Sequence, residues 1–162
     1  MKPTIVAILM GLACSAPAMA QDYGVTIKTD DDAAFETFAT YAWIDGHGAY
    51  DPGIHRTIVT AIERELALAG MTQTDEKADV LVVYHTLQRT DVDLETWRDT
   101  PDASGNRADT YPVGTLVVNL LDPLTSEPLW HARIDEPLQL EPAALDAQIV
   151  RAVVALFDEL PK

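Results

Sequence analysis

Apolar positions in this chain alternate with polar ones, run together, or recur every third and fourth residue, and these rhythms divide it into elements. Between Tyr23 and Thr29 the apolar Val25 and Ile27 stand among polar neighbours, the period of a half-covered strand. Phe38 to Ile44, rich in aromatic and β-branched residues, predicts a second strand, closed by the turn residues Asp45-Gly46-His47-Gly48. From Asp51 the rhythm changes. Asp51 can cap a helix and Pro52 suits its first turn; Ile54, Ile58, Ala61, Ile62, Leu66 and Ala69 then share one helical face, and Gly70 ends the helix.

Ala78 to Gln88 opens with the aliphatic run Val80 to Val83, as a strand covered on both faces does. Beyond it Arg89, Asp91, Asp93 and Glu95 take one parity and Val92 and Leu94 the other, so a continuation is half exposed. The stretch around 95–112, with Pro101, Gly105 and Asn106, predicts a long acidic loop. Gly114 to Leu121 is a further apolar strand, and Asp122 to Pro128 reverses it into Leu129 to Asp135, predicting a β-hairpin. In that second arm Trp130, Ala132 and Ile134 share one face, and His131, Arg133 and Asp135 the other. Glu141-Pro142 opens a last helix with the stripe Leu145, Ile149, Ala152, Val153, Leu156 and Phe157. The order β-β-α-β-β-β-α predicts an α+β fold: a two-layer sandwich, its sheet mostly antiparallel, with both helices on one face.

The first twenty residues add a compartment. Met1 and Lys2, an apolar run from Ile5 to Leu12 too short to span a bilayer, and the small-residue site Ala18-Met19-Ala20 predict a signal peptide over 1–20, cut between Ala20 and Gln21. Residues 21–162 are then expected to form a single α+β domain. Cys14, the only cysteine, raises an alternative: lipidation at that residue. In Gly11-Leu12-Ala13-Cys14 the leucine comes one place too late for lipoprotein processing, which favours discarding Cys14 with the leader. The expected location is the periplasm, with an outer-membrane lipoprotein as the alternative and membrane association only if Cys14 is lipidated. A formal charge of −15 repels phosphate backbones and anionic lipid head groups, so no nucleic-acid partner is expected.

Reactive constellations are hard to find. His47, His55, His85 and His131 show no close-paired ligand spacing, and His85 and His131 lie on different predicted strands that bring them together only if those strands are neighbours. A metal-dependent or hydrolytic enzyme built on His85 and His131 is one alternative. The acidic series Asp91, Asp93, Glu95, Asp99 and Asp102 lacks the glycine a calcium loop places at its sharp turn, and reads as a solvated edge. Ser104 and Ser126 lack a nucleophile-elbow frame, and Gly46-His47-Gly48 lacks the third glycine of a phosphate cradle. No catalytic, cofactor-binding or metal-binding residue is therefore predicted, and no cofactor. Trp43 and Trp130 read as core anchors. Trp97, set among Glu95, Thr96, Arg98 and Asp99, forms with Tyr111, Asp91 and Asp93 the predicted contact surface for an envelope protein partner. The expected function is a non-catalytic binding or assembly module, with a carrier for a small apolar ligand held between sheet and helices as a further alternative.

Several of these segments occur together in one known family. Phe38-Ala39-Thr40-Tyr41-Ala42-Trp43, the helix from Ile58 to Gly70, Ala78-Asp79-Val80-Leu81-Val82-Val83-Tyr84-His85, Gly114 to Asp122 and Leu129-Trp130 stand in the same order. In that set the chain resembles the bacterial "domain of unknown function 4136" family of exported, often lipidated envelope proteins. The resemblance implies an α+β cell-envelope protein without an established activity, and it transfers no catalytic residue. The chain departs from the family's lipidation motif at Gly11.

Overall fold

The structure, a computed structural model, describes residues 24–93 and 110–161. Its strands are β1 (Val25–Thr29), β2 (Thr40–Trp43), β3 (Thr72–Gln73), β4 (Val80–Val92), β5 (Thr110–Leu121) and β6 (Pro128–Pro137), and its helices are α1 (Pro52–Leu68) and α2 (Pro142–Phe157). The strands form one mixed sheet in the order β1-β6-β5-β4-β2-β3. β4, β5, β6 and β1 pair antiparallel, while β2 runs parallel to β4 and to β3. Parallel neighbours need a long crossover, and α1 supplies it between β2 and β4. The α+β class and the order β-β-α-β-β-β-α hold. β3 adds two residues at the sheet edge, too few to leave a periodic trace in the sequence.

Parity decides what each strand buries. Val82, Leu120 and Trp130 stand in register across three strands, as do Tyr84, Val118 and Ala132, and all six join the core under the helices. The helices cover that face with Ile58, Ala61, Ile62 and Leu66 from α1 and Ala152, Val153, Leu156 and Phe157 from α2. Burying a side chain of Leu or Ile size contributes about 1.5–3 kcal/mol, so this face dominates the stability. Asp51 caps α1 through Oδ1, accepting the N–H groups of Gly53 at 2.8 Å and Ile54 at 3.0 Å. Gly70 follows the helix with φ +89°, a conformation that only glycine adopts freely.

The aromatic anchors divide. Trp130 is fully buried with its ring centroid 5.2 Å from that of Phe157, and its indole N–H has no partner among the described residues. Trp43 is only half buried; it packs against the core edge-on to Tyr41 and Tyr84, and its indole N–H donates to Glu63 Oε1 at 3.3 Å. The β4–β5 ladder is longer than the apolar runs suggest, continuing from Leu81↔Leu121 to Val92↔Thr110. Tyr111 and Pro112 therefore belong to a strand and not to the end of a loop. Backbone pairing extends through positions whose polar side chains face water, which hydrophobic periodicity does not register.

Candidate functional site

The two helical stripes are not evenly covered. Toward the N-terminal half of each helix the stripe residues Ile54, Leu145 and Ile149 are only half buried, and there the sheet and helices part to leave a cleft of about 890 Å³. That volume lies in the range of small-molecule sites. Its floor is the far end of the helix-facing sheet surface, with Thr86 and Gln88 of β4, Gly114 and Leu116 of β5, and Ile134 and Glu136 of β6; Leu87 and Thr115, between them, turn to the other face. Ile54 and Ile58 of α1 form one wall, Leu145, Gln148, Ile149 and Ala152 of α2 another, and the loop from Gly46 to Asp51 a third.

The loop wall is pinned by β4. Thr86 N–H donates to the His47 carbonyl at 2.9 Å, and His47 N–H donates to Nδ1 of His85 at 3.0 Å. Ala49 N–H donates to the Tyr84 hydroxyl at 3.2 Å, and that hydroxyl also meets Nδ1 of His55 on α1. Glycine is needed for so close an approach. A Cβ at position 46 would stand 2.5 Å from both the Tyr84 carbonyl oxygen and Val83 Cγ2, and one at position 48 would stand 2.7 Å from the Tyr84 hydroxyl. The Gly46-His47-Gly48 run is thus a close-contact device between loop and strand.

At the opposite wall one buried amide holds the connection from β6 to α2. Gln148 accepts Gln139 N–H at 3.0 Å, and its Nε2 donates to the Pro137 carbonyl at 2.8 Å and to Glu136 Oε2 at 2.9 Å. Leu138 packs against Gly114, where a Cβ would lie 2.5 Å from Leu138 Cδ2. Two polar side chains of the cleft are engaged in structural contacts: Asp51 caps α1 and Gln148 clamps a turn.

The sequence-predicted candidates lie elsewhere. His85 and His131 do not meet, because β5 stands between their strands; His85 pairs in register with Val117, and His131 with Asn119. Each ring has its own partner: His85 accepts the His47 amide, and His131 Nδ1 lies 2.7 Å from Asn119 Oδ1. Burial, helped by Lys28 and Arg133, pushes the His131 pKa down. Among the described residues no group of three His, Cys, Asp or Glu side chains is placed to hold a metal ion. Asp91 and Tyr111 face each other in register near the end of the β4–β5 pair, with Asp93 just beyond, so three of the four predicted contact residues gather at one end of the sheet. Trp97, the fourth, lies outside the described residues, as do Glu95, Asp99, Asp102, Cys14, Ala20 and Gln21.

On the sheet face away from the helices, Asp135 is the centre of a small ionic network. It receives Arg133 Nε at 2.7 Å on Oδ2, and Arg133 Nη2 at 3.0 Å, Arg89 Nη1 at 2.7 Å and the Thr115 hydroxyl on Oδ1. The Arg133 hydrogen bonds, then those from Thr115 and Arg89, hold its carboxyl far below the usual range against the opposing effect of burial. Sequence reasoning missed the cleft residues Gln88, Gly114, Glu136 and Gln148. Gly114 was the available signal, since a glycine inside a strand often marks a close approach.

Comparisons with known proteins agree with this architecture. The model of a domain of unknown function, DUF4136, matches residues 25–162. A DUF4136 family protein from Bacteroides thetaiotaomicron superposes with a TM-score of 0.57 at 12% identity, over 86% of this chain and 96% of that one. A PDZ domain protein from Parabacteroides distasonis gives a TM-score of 0.56 at 16% identity over 86% of this chain, which spans 36% of that protein's length. The PelC dodecamer from Paraburkholderia phytofirmans gives a TM-score of 0.51 at 10% identity, over 85% of this chain and 99% of the PelC chain. At these identities the likeness is one of fold. No curated protein matches the chain in sequence. Among the described residues no helix is long and apolar enough to cross a membrane.

Proposed function

This chain belongs to the DUF4136 family, whose function is unknown, and from that premise we propose that it is an exported, non-catalytic binding module of the cell envelope that holds an apolar ligand between its sheet and helices. One observation carries the reading: the cleft of about 890 Å³, whose surface is mainly apolar. Such a surface is costly to leave in water and favours an apolar occupant. The engagement of Asp51 and Gln148 in structural hydrogen bonds supports binding over chemistry. The leader at 1–20 and the acidic body support the periplasm and argue against nucleic acid. The test is native mass spectrometry of the protein released gently from the envelope. We expect a co-purifying small ligand that is lost when the cleft is filled by Ala152→Leu; protein that arrives bare and takes up no hydrophobic probe would refute the reading.

The gathering of Asp91, Asp93 and Tyr111 at one end of the sheet favours a second reading, in which that end, with Trp97, contacts an envelope protein partner. Trp97→Ala is expected to leave the fold intact and reduce capture of such a partner. Unchanged capture would remove this surface from consideration.

A further inference from the structure

We infer that the occupant of the cleft is a single-chain amphiphile whose polar end is an amine or ammonium group seated beside Glu136, an inference that rests on the cleft being a binding site. The charge distribution inside the cleft carries it. Among the described residues no lysine or arginine lines the cleft, and the carboxylates that line it are Asp51 and Glu136. Asp51 is exposed, and its Oδ1 caps α1. Glu136 is half buried at the end of the apolar floor; its Oε2 accepts from Gln148, while its Oε1 makes no hydrogen bond among the described residues.

Oε1 of Glu136 is not sealed from solvent, so it is open to a donor or cation that enters the cleft. The nearby strand arginines do not serve. Arg89 and Arg133 project from the opposite face of the sheet, where both are engaged with Asp135. An ammonium group entering the cleft would give Glu136 a charge-assisted hydrogen bond. Its alkyl chain would lie along Leu116, Ile134, Leu145 and Ile149. A carboxylate or phosphate head would instead meet a like charge with no lysine or arginine among the described lining residues to offset it, inside a chain of net charge −15. The position opposite Glu136 in the β5–β6 register is Gly114, over which Leu138 packs, so an aliphatic side chain stands beside the carboxylate.

The test is calorimetric titration of the mature protein at low salt with three probes of equal chain length, each below its micellar concentration: decylammonium, decyl glucoside and decanoate. Decylammonium is expected to bind roughly tenfold more tightly than decanoate, the worth of one hydrogen bond to a charged group, with the glucoside between them. Glu136→Gln is expected to close most of that gap while keeping the glucoside affinity. Decanoate binding as tightly as decylammonium, with the glucoside also bound, would overturn the choice of head group and leave the apolar cleft standing. Failure of all three probes would overturn the binding reading itself. Ala152→Leu separates the cleft from the acidic surface: it should weaken all three probes, and undiminished decylammonium binding would place that ligand elsewhere and refute the inference. Thermal melts of both variants confirm that each remains folded.

Discussion

The Tyr84 hydroxyl accepts the Ala49 amide proton and meets Nδ1 of His55, so one oxygen ties β4, the loop over residues 45–50 and the first turn of α1. That oxygen accepts from Ala49 and retains a proton and a second lone pair for its contact with His55. The phenol is buried, so the network lies inside the wall that closes one side of the cleft.

Tyr84→Phe keeps the ring and removes the oxygen. It leaves the Ala49 N–H without its acceptor and is expected to cost about 1–2 kcal/mol. Urea denaturation measures the loss, and amide exchange should show the Ala49 proton losing protection before the protons of β4.

Gly46→Ala brings a methyl group against the backbone of β4, where neither the Tyr84 carbonyl nor Val83 has room to yield. The expected cost is about 1–3 kcal/mol, with the loop displaced from the strand. Limited proteolysis between Asp45 and Asp51 reads the displacement. A variant as stable and as resistant as the parent would show that the loop does not sit where the structure places it.

Asp135→Asn removes the charge that two arginines share. A loss of about 2 kcal/mol at neutral pH is expected, since hydrogen bonds to a charged group are broken while Arg89 and Arg133 keep partial access to water. The pH dependence follows in sign. The folded carboxyl titrates well below an unfolded aspartate, so its contribution is complete above the ordinary carboxylate range and is lost as pH falls through and below it. The gap in urea midpoint between parent and variant should therefore narrow in acid.

His131 works in the neutral range. Burial pushes its pKa down, so the unfolded chain binds the proton more readily than the folded one, and stability falls as pH drops through the ordinary histidine range. His131→Gln should flatten that part of the stability profile between pH 7.5 and about 5. An unchanged slope would move the dependence to other groups.

How far the chain could be read without coordinates varies by element. The stripes of both helices, the Asp51 cap, Gly70 and the β5–β6 hairpin were legible because each depends on neighbours within a few residues. The pairing of Asp91 with Tyr111 was not, because a ladder can run on through polar residues once its apolar part has set the register. His85 and His131 are the instructive failure. Their placement depends on which strand lies between them, and strand order is a property of the whole sheet.

The sequence by itself determined which residues want water and which do not, and from their periods the α+β class, the element order and the faces of each helix. Only the tertiary structure decided that Ile54, Leu145 and Ile149, stripe residues like those beside them, line an open cleft while Ile62 and Leu156 are sealed in the core. The reason is geometric. Periodicity records that a side chain prefers cover, whereas the supply of cover depends on how far the sheet, the loop over residues 46–51 and the second helix stand apart.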